Sequence, residues 1–163
     1  MLLNSNQLWQ GIVDYMNSAA QLEAWRTGAY STPRALRVER GCADIPEPSS
    51  LSPIIIVDLL GIDEPDEGQT DRWTHGNLIY HFHIKAFLEA KSRELVEIKA
   101  LDLNDSLFEL SREESGAGFY FGMAGLGVVG SRVQRSSWSR TTGRVQTAWQ
   151  TAWSRFLDVA VSV

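Results

Sequence analysis

Asn77-Leu78-Ile79-Tyr80-His81-Phe82-His83-Ile84-Lys85-Ala86-Phe87-Leu88 is the stretch on which the fold turns. Leu78, Tyr80, Phe82 and Ile84 alternate with Ile79, His81, His83 and Lys85. A period of two is that of a strand whose one face is core while the other is wet or an interface. From Lys91 to Ser111 the period turns helical. Val96, Ala100, Leu103, Leu107 and Leu110 line one side, with Glu94, Glu97, Asp105 and Glu109 elsewhere. The spacing predicts a helix that covers the sheet to which the strand belongs.

Upstream, Ile54-Ile55-Ile56-Val57-Asp58-Leu59-Leu60 is a β-branched run between Pro53 and Gly61 and reads as a buried strand. Between the two strands, residues 61–76 carry Asp63, Glu64, Asp66, Glu67 and Asp71, which cannot be packed unpaired, so this stretch is expected to be a solvated acidic loop. Further back, Leu8, Ile12, Tyr15, Ala19 and Leu22, widened by Trp9, Val13 and Met16, form a helical stripe. The helix starts after the cap cluster Asn4-Ser5-Asn6 and ends near Trp25. Residues 27–53 hold Pro33, Pro46, Pro48 and Pro53 and read as loop around a short strand at Ala35–Glu39.

Downstream, residues 115–130 contain six glycines around Phe119, Tyr120, Phe121 and Met123. This Gly-rich loop is too flexible for a regular element and too aromatic for a plain linker, and is expected to order against a partner. The chain closes on a hairpin with one arm at Val128–Trp138, a turn at Thr141-Thr142-Gly143, and a second arm carrying Val145, Thr147, Trp149, Thr151 and Trp153. Trp149, Trp153 and Val145 are expected against the stripe Val96–Leu107. Together these elements make one α+β domain over residues 1–163. Its sheet is mostly antiparallel with about four strands, and two helices pack on it.

With 163 residues, 44% of them hydrophobic, the chain has apolar area for one full core and none of the compositional signature of disorder. A lone cysteine, Cys42, excludes an intrachain disulfide and a Cys-based zinc site, and fits a reducing compartment. No apolar run approaches the roughly 18 residues of a membrane helix, and the first residues lack a basic start and an uninterrupted apolar core. A soluble chain with no membrane partner is expected.

Charge is distributed unevenly. Residues 44–114 hold 16 acids against 6 bases, whereas residues 115–163 hold Asp158 alone against Arg132, Arg135, Arg140, Arg144 and Arg155. Of 15 basic residues 12 are Arg, the side chain suited to bidentate pairing with carboxylates or phosphates. Such asymmetry serves complementary packing between copies of one chain, or nucleic-acid contact, or simply an exposed charged hairpin. The candidate interface residues are Arg132, Arg135, Arg140 and Arg144 on the basic side. Asp63, Glu64, Asp66, Glu67 and Asp71 are the acidic candidates, and Phe119, Tyr120, Phe121 and Met123 the aromatic and apolar ones.

Catalytic and cofactor templates fit poorly. Gly125-Leu126-Gly127-Val128-Val129-Gly130 has the glycine spacing of a dinucleotide site, but no helical stripe follows and the next acid is Asp158. His81 and His83 lie about 7 Å apart on one strand face with His75 near in sequence, yet nothing assigns a third or fourth metal ligand. No G-x-S-x-G occurs, and the acids of residues 63–71 miss the calcium-loop template. No catalytic residue, cofactor or metal is expected.

The order of elements is an amphipathic helix, a Pro-rich loop, the strand begun by Ser52-Pro53-Ile54-Ile55-Ile56-Val57, and a long polar loop. The alternating strand Asn77–Phe87 follows with a helix directly after it, then a loop and a final hairpin. This order resembles the tail terminator proteins of long-tailed bacteriophages, most closely over residues 52–111 and 128–156. The resemblance implies a non-enzymatic virion protein at the tail-neck junction, assembled in the host cytoplasm. It implies a homo-oligomeric ring, a hexamer, at the head-proximal end of the tail tube, which ends tube polymerisation. Its partners would be the tail tube protein and the head-closure or connector protein, with genomic DNA only passing through the lumen. Another neck or head-tail joining protein of the same design, or a small ligand-binding enzyme using the Gly-rich loop, is the alternative. The resemblance carries architecture and role and assigns no individual residue.

Overall fold

The computed structural model describes residues 4–27, 36–41, 54–64, 77–90, 92–112, 128–145 and 148–162. Helix α1 spans Ser5–Ser18; a single 3-10 turn, Ala20–Leu22, and the short α2, Glu23–Arg26, follow. Strands β1 (Arg37–Arg40), β2 (Ile54–Asp63) and β3 (Asn77–Ala90) precede helix α3 (Arg93–Arg112), and β4 (Val128–Val145) and β5 (Ala148–Ser162) end the chain. The five strands form one sheet in the order β1-β2-β3-β5-β4. Only the β1–β2 pair is parallel.

This is the expected α+β class, with a fifth strand because the short segment after Leu36 pairs alongside β2. The core lies between one sheet face and the helices. Ile55 and Val57 of β2, Tyr80, Phe82, Ile84, Ala86 and Leu88 of β3, and Val159 and Val161 of β5 meet Leu8, Ile12, Val13 and Met16 of α1, Leu22, Trp25, and Val96, Ala100 and Leu103 of α3. The alternation of β3 thus selects the core face as the sequence predicts. Its opposite face is not wholly wet, because Phe87 packs with Ile54 and Ile56 in a second small cluster and Ile79 is also buried.

Helix α1 begins where the cap cluster places it, the Asn4 side chain accepting from the Gln7 amide at 3.1 Å. It does not run unbroken to Trp25. Ala19 is extended, with ψ 134°, and the chain bends there before the 3-10 turn, which lets both Leu22 and Trp25 reach the core. Trp9 fastens α1 to the sheet margin in two ways. The Trp9 indole N–H donates to the Val57 carbonyl at 2.9 Å, and the Arg40 guanidinium lies 4.1 Å from the Trp9 ring centre.

Three boundaries differ from the sequence reading. Strand β2 runs on through Gly61 and Ile62 to Asp63, so the acidic segment starts later than residue 61; residues 65–76 lie outside the described set. Strand β4 starts at Val128, which takes residues 128–130 out of the Gly-rich loop, and residues 113–127 are outside the described set. Finally, Thr141–Gly143 are strand. Val145 belongs to β4 and pairs with Ala148, so the hairpin reverses there. Local Gly and Thr content suggested an earlier turn, but ladder pairing with β5 carries the strand past it. The side chains of Trp149, Trp153 and Val145 lie outside the described set, so their expected packing on α3 does too.

Candidate functional site

The polar face of the sheet, away from the helices, gathers charge across three strands. In the β3–β5 ladder His81 stands opposite Asp158 and His83 opposite Phe156. The β2–β3 register is Ile54↔Phe87, Ile56↔Lys85 and Asp58↔His83 up to an irregularity between Leu59 and Gly61. Leu60 is the extra residue, and after it Gly61 pairs with His81 and Asp63 with Ile79. Because side chains alternate, one extra residue exchanges the faces of everything beyond it. Without the bulge Asp63 would fall on the apolar face; with it, Asp63 shares the face of His81.

The result is a clasp. His81 Nδ1 lies 2.8 Å from Asp158 Oδ1, and Nε2 lies 2.7 Å from Asp63 Oδ2. Carboxylates accept and do not donate, so a neutral imidazole with a single N–H could satisfy only one of them, whereas the imidazolium satisfies both. Burial pulls the His81 pKa down, but the hydrogen bonds and the charges of Asp63 and Asp158 outweigh it and hold the pKa above 6.5. The two ends differ: Asp158 is 1% exposed, while the Asp63 side chain is largely in solvent. Beside the clasp the His83 ring stacks on Phe156, centroids 4.6 Å apart and planes parallel within 1°.

This arrangement ties β2, β3 and β5 together and leaves His81 no nitrogen for base catalysis. Among the described residues no group of three or more His, Cys, Asp or Glu side chains is placed to hold a metal ion. The end of the glycine motif, Val128–Gly130, is strand where a pyrophosphate site needs a helix N-terminus.

The basic candidates all lie on β4, an edge strand of 18 residues. Arg140 pairs with Trp153 and Arg144 with Trp149, while Arg135 falls in the irregularity between Gln134 and Ser139. Arg132 stands opposite Asp158. The opposite edge is short and closed: β1 has four residues, and the Asn17 amide clips Val38, accepting from its N–H at 3.2 Å and donating to its carbonyl at 3.0 Å. Of the acidic candidates, Asp63 and Glu64 are exposed at the end of β2, and Asp66, Glu67 and Asp71 lie outside the described set. Phe119, Tyr120, Phe121 and Met123 also lie outside it.

Two features escaped the sequence reading. Asp158 is a lone acid inside Phe156-Leu157-Asp158-Val159-Ala160-Val161, and a single charge in an apolar strand is a sign of a buried partner. Helix α3 also carries Leu95, Ile98 and Leu101 off its buried stripe, and all three are exposed. No helix among the described residues is long and apolar enough to cross a membrane.

No family model matches the chain, and no curated protein matches it. Among solved structures it is similar to a chain described as "Virion of native gene transfer agent (GTA) particle", with 14% identity, 96% of each chain covered and a TM-score of 0.44.

Proposed function

We propose that this protein is a structural virion subunit without catalytic activity. Copies form a ring at the head-proximal end of a phage tail tube, stop tube polymerisation and join the tail to the head connector. The observation that supports this most is the inequality of the two sheet edges. One is four residues long and clipped by Asn17, and the other is an 18-residue strand with four arginines and no acid. A ring needs two different surfaces on each subunit, one meeting the other on the next copy, and a basic strand at the edge of the described sheet, on an otherwise acidic chain, supplies one of them. The element order behind the resemblance is present: β2 after Pro53, the alternating β3, α3 directly after it, and the β4–β5 hairpin. The polar clasp fits a scaffold, since both nitrogens of its histidine are spent on holding strands together.

Tail length is the test. Tubes polymerised with this protein present should stop at a uniform length and carry a ring at one end in electron micrographs. Tubes that grow past that length at the same rate with or without the protein overturn the reading.

A further inference from the structure

Helix α3 is apolar on two sides. Val96, Ala100 and Leu103 are buried against the sheet. Leu95, Ile98 and Leu101 follow one another at intervals of three, which at 3.6 residues per turn sets them on the opposite side, and they are 48%, 49% and 52% exposed. Single exposed leucines mean little, but an apolar row rimmed by charge along one helix side marks a contact surface. The charges set among these apolar residues are acidic. By the same periodicity Glu94, Asp102 and Asp105 lie on this outer side, while Arg93 is engaged with Glu97 at 3.4 Å on one flank and Lys99 stands on the other.

The occupant is indicated by charge. Within the chain, the described element that is basic without any acid is β4, which carries Arg132, Arg135, Arg140 and Arg144. The outer side of α3 is turned away from the sheet that carries β4, so a β4 edge that covers it comes from a second copy.

We propose that the outer face of α3, Leu95, Ile98 and Leu101 with Glu94, Asp102 and Asp105, receives the β4 edge of a second copy of this chain. The contact is head-to-tail, each copy offering α3 to one neighbour and β4 to the other, which is the geometry that closes into a ring. This rests on the ring reading above and assigns its subunit interface.

Mass photometry and sedimentation velocity, on the full chain alone and mixed with isolated tail tubes, test it. Ile98→Glu with Leu101→Glu should weaken self-association at least tenfold, and so should Arg140→Glu with Arg144→Glu, with far-ultraviolet circular dichroism unchanged. Should the first pair fail to fold, Asp102→Lys with Asp105→Lys replaces it, and combining that pair with the arginine reversals in one chain should restore assembly. Variants that assemble like the wild type overturn the α3 interface and leave the ring reading standing. A wild-type chain that stays monomeric with and without tubes overturns the ring reading itself.

Discussion

His81 and Asp158 face each other across the β3–β5 ladder with Nδ1 2.8 Å from the buried carboxylate, and the same ring reaches Asp63 at the end of β2. A charge buried in an apolar strand is costly unless paired, so the strand that carries Asp158 is bound to the strand that carries His81. The clasp therefore sets the register of the sheet's centre and, through β5, the position of the edge strand β4.

Stability should depend on pH through His81. Its folded pKa lies above the unfolded value of 6.5, so the clasp contributes fully below pH 6.5 and is lost as the pH rises through the folded pKa. His81→Ala should cost about 1.5–3 kcal/mol at pH 6, with the gap to wild type narrowing toward pH 9. Urea melts of both proteins at the two pH values measure it. A gap that stays constant contradicts the imidazolium assignment.

The two carboxylates should not be equivalent. Asp63 is mostly solvated, and Asp63→Asn should cost about 0.2–1 kcal/mol, whereas Asp158→Ala, which leaves His81 without its buried partner, should cost about 3 kcal/mol or more. Equal losses in denaturant titrations would refute the asymmetry.

The core side of α3 should separate sharply from its outer side. Leu103→Ala should destabilise by about 2–5 kcal/mol, and Ile98→Ala by less than about 0.5 kcal/mol in the isolated subunit. Thermal unfolding of the two variants gives the comparison.

At the closed edge, Asn17→Ala removes both hydrogen bonds to Val38 and should cost about 1–2 kcal/mol. Amide exchange at Val38 should rise in the same variant, since its N–H loses the Asn17 acceptor. Unchanged protection would mean that β1 does not depend on the clip.

Periodicity made much of this fold legible. The twofold alternation of residues 78–84 and the helical stripe Val96–Ala100–Leu103 correctly placed β3 and α3 and their buried faces. The parts that were not legible depend on pairing across the sheet. The Leu60 bulge that turns Asp63 toward His81 exists only in the β2–β3 register, and no local pattern announces it. Likewise Thr141–Gly143 look like a turn in isolation but are strand because β5 lies beside them. Ala19 broke the first helix without Gly or Pro, since burying both Leu22 and Trp25 demanded a bend. As for the site, the sequence placed the arginines on the C-terminal hairpin, and the sheet order then makes their strand an edge, whereas the clasp and the exposed row on α3 required the neighbours in space.

The mass of the native protein, measured by analytical ultracentrifugation alone and on isolated tail tubes, bears most directly on the ring. Six copies of an 18.2 kDa chain give a closed particle of about 109 kDa. A species of that mass, free or bound at one end of each tube, is the expected result. A single 18.2 kDa species that neither assembles nor binds the tube end would contradict it.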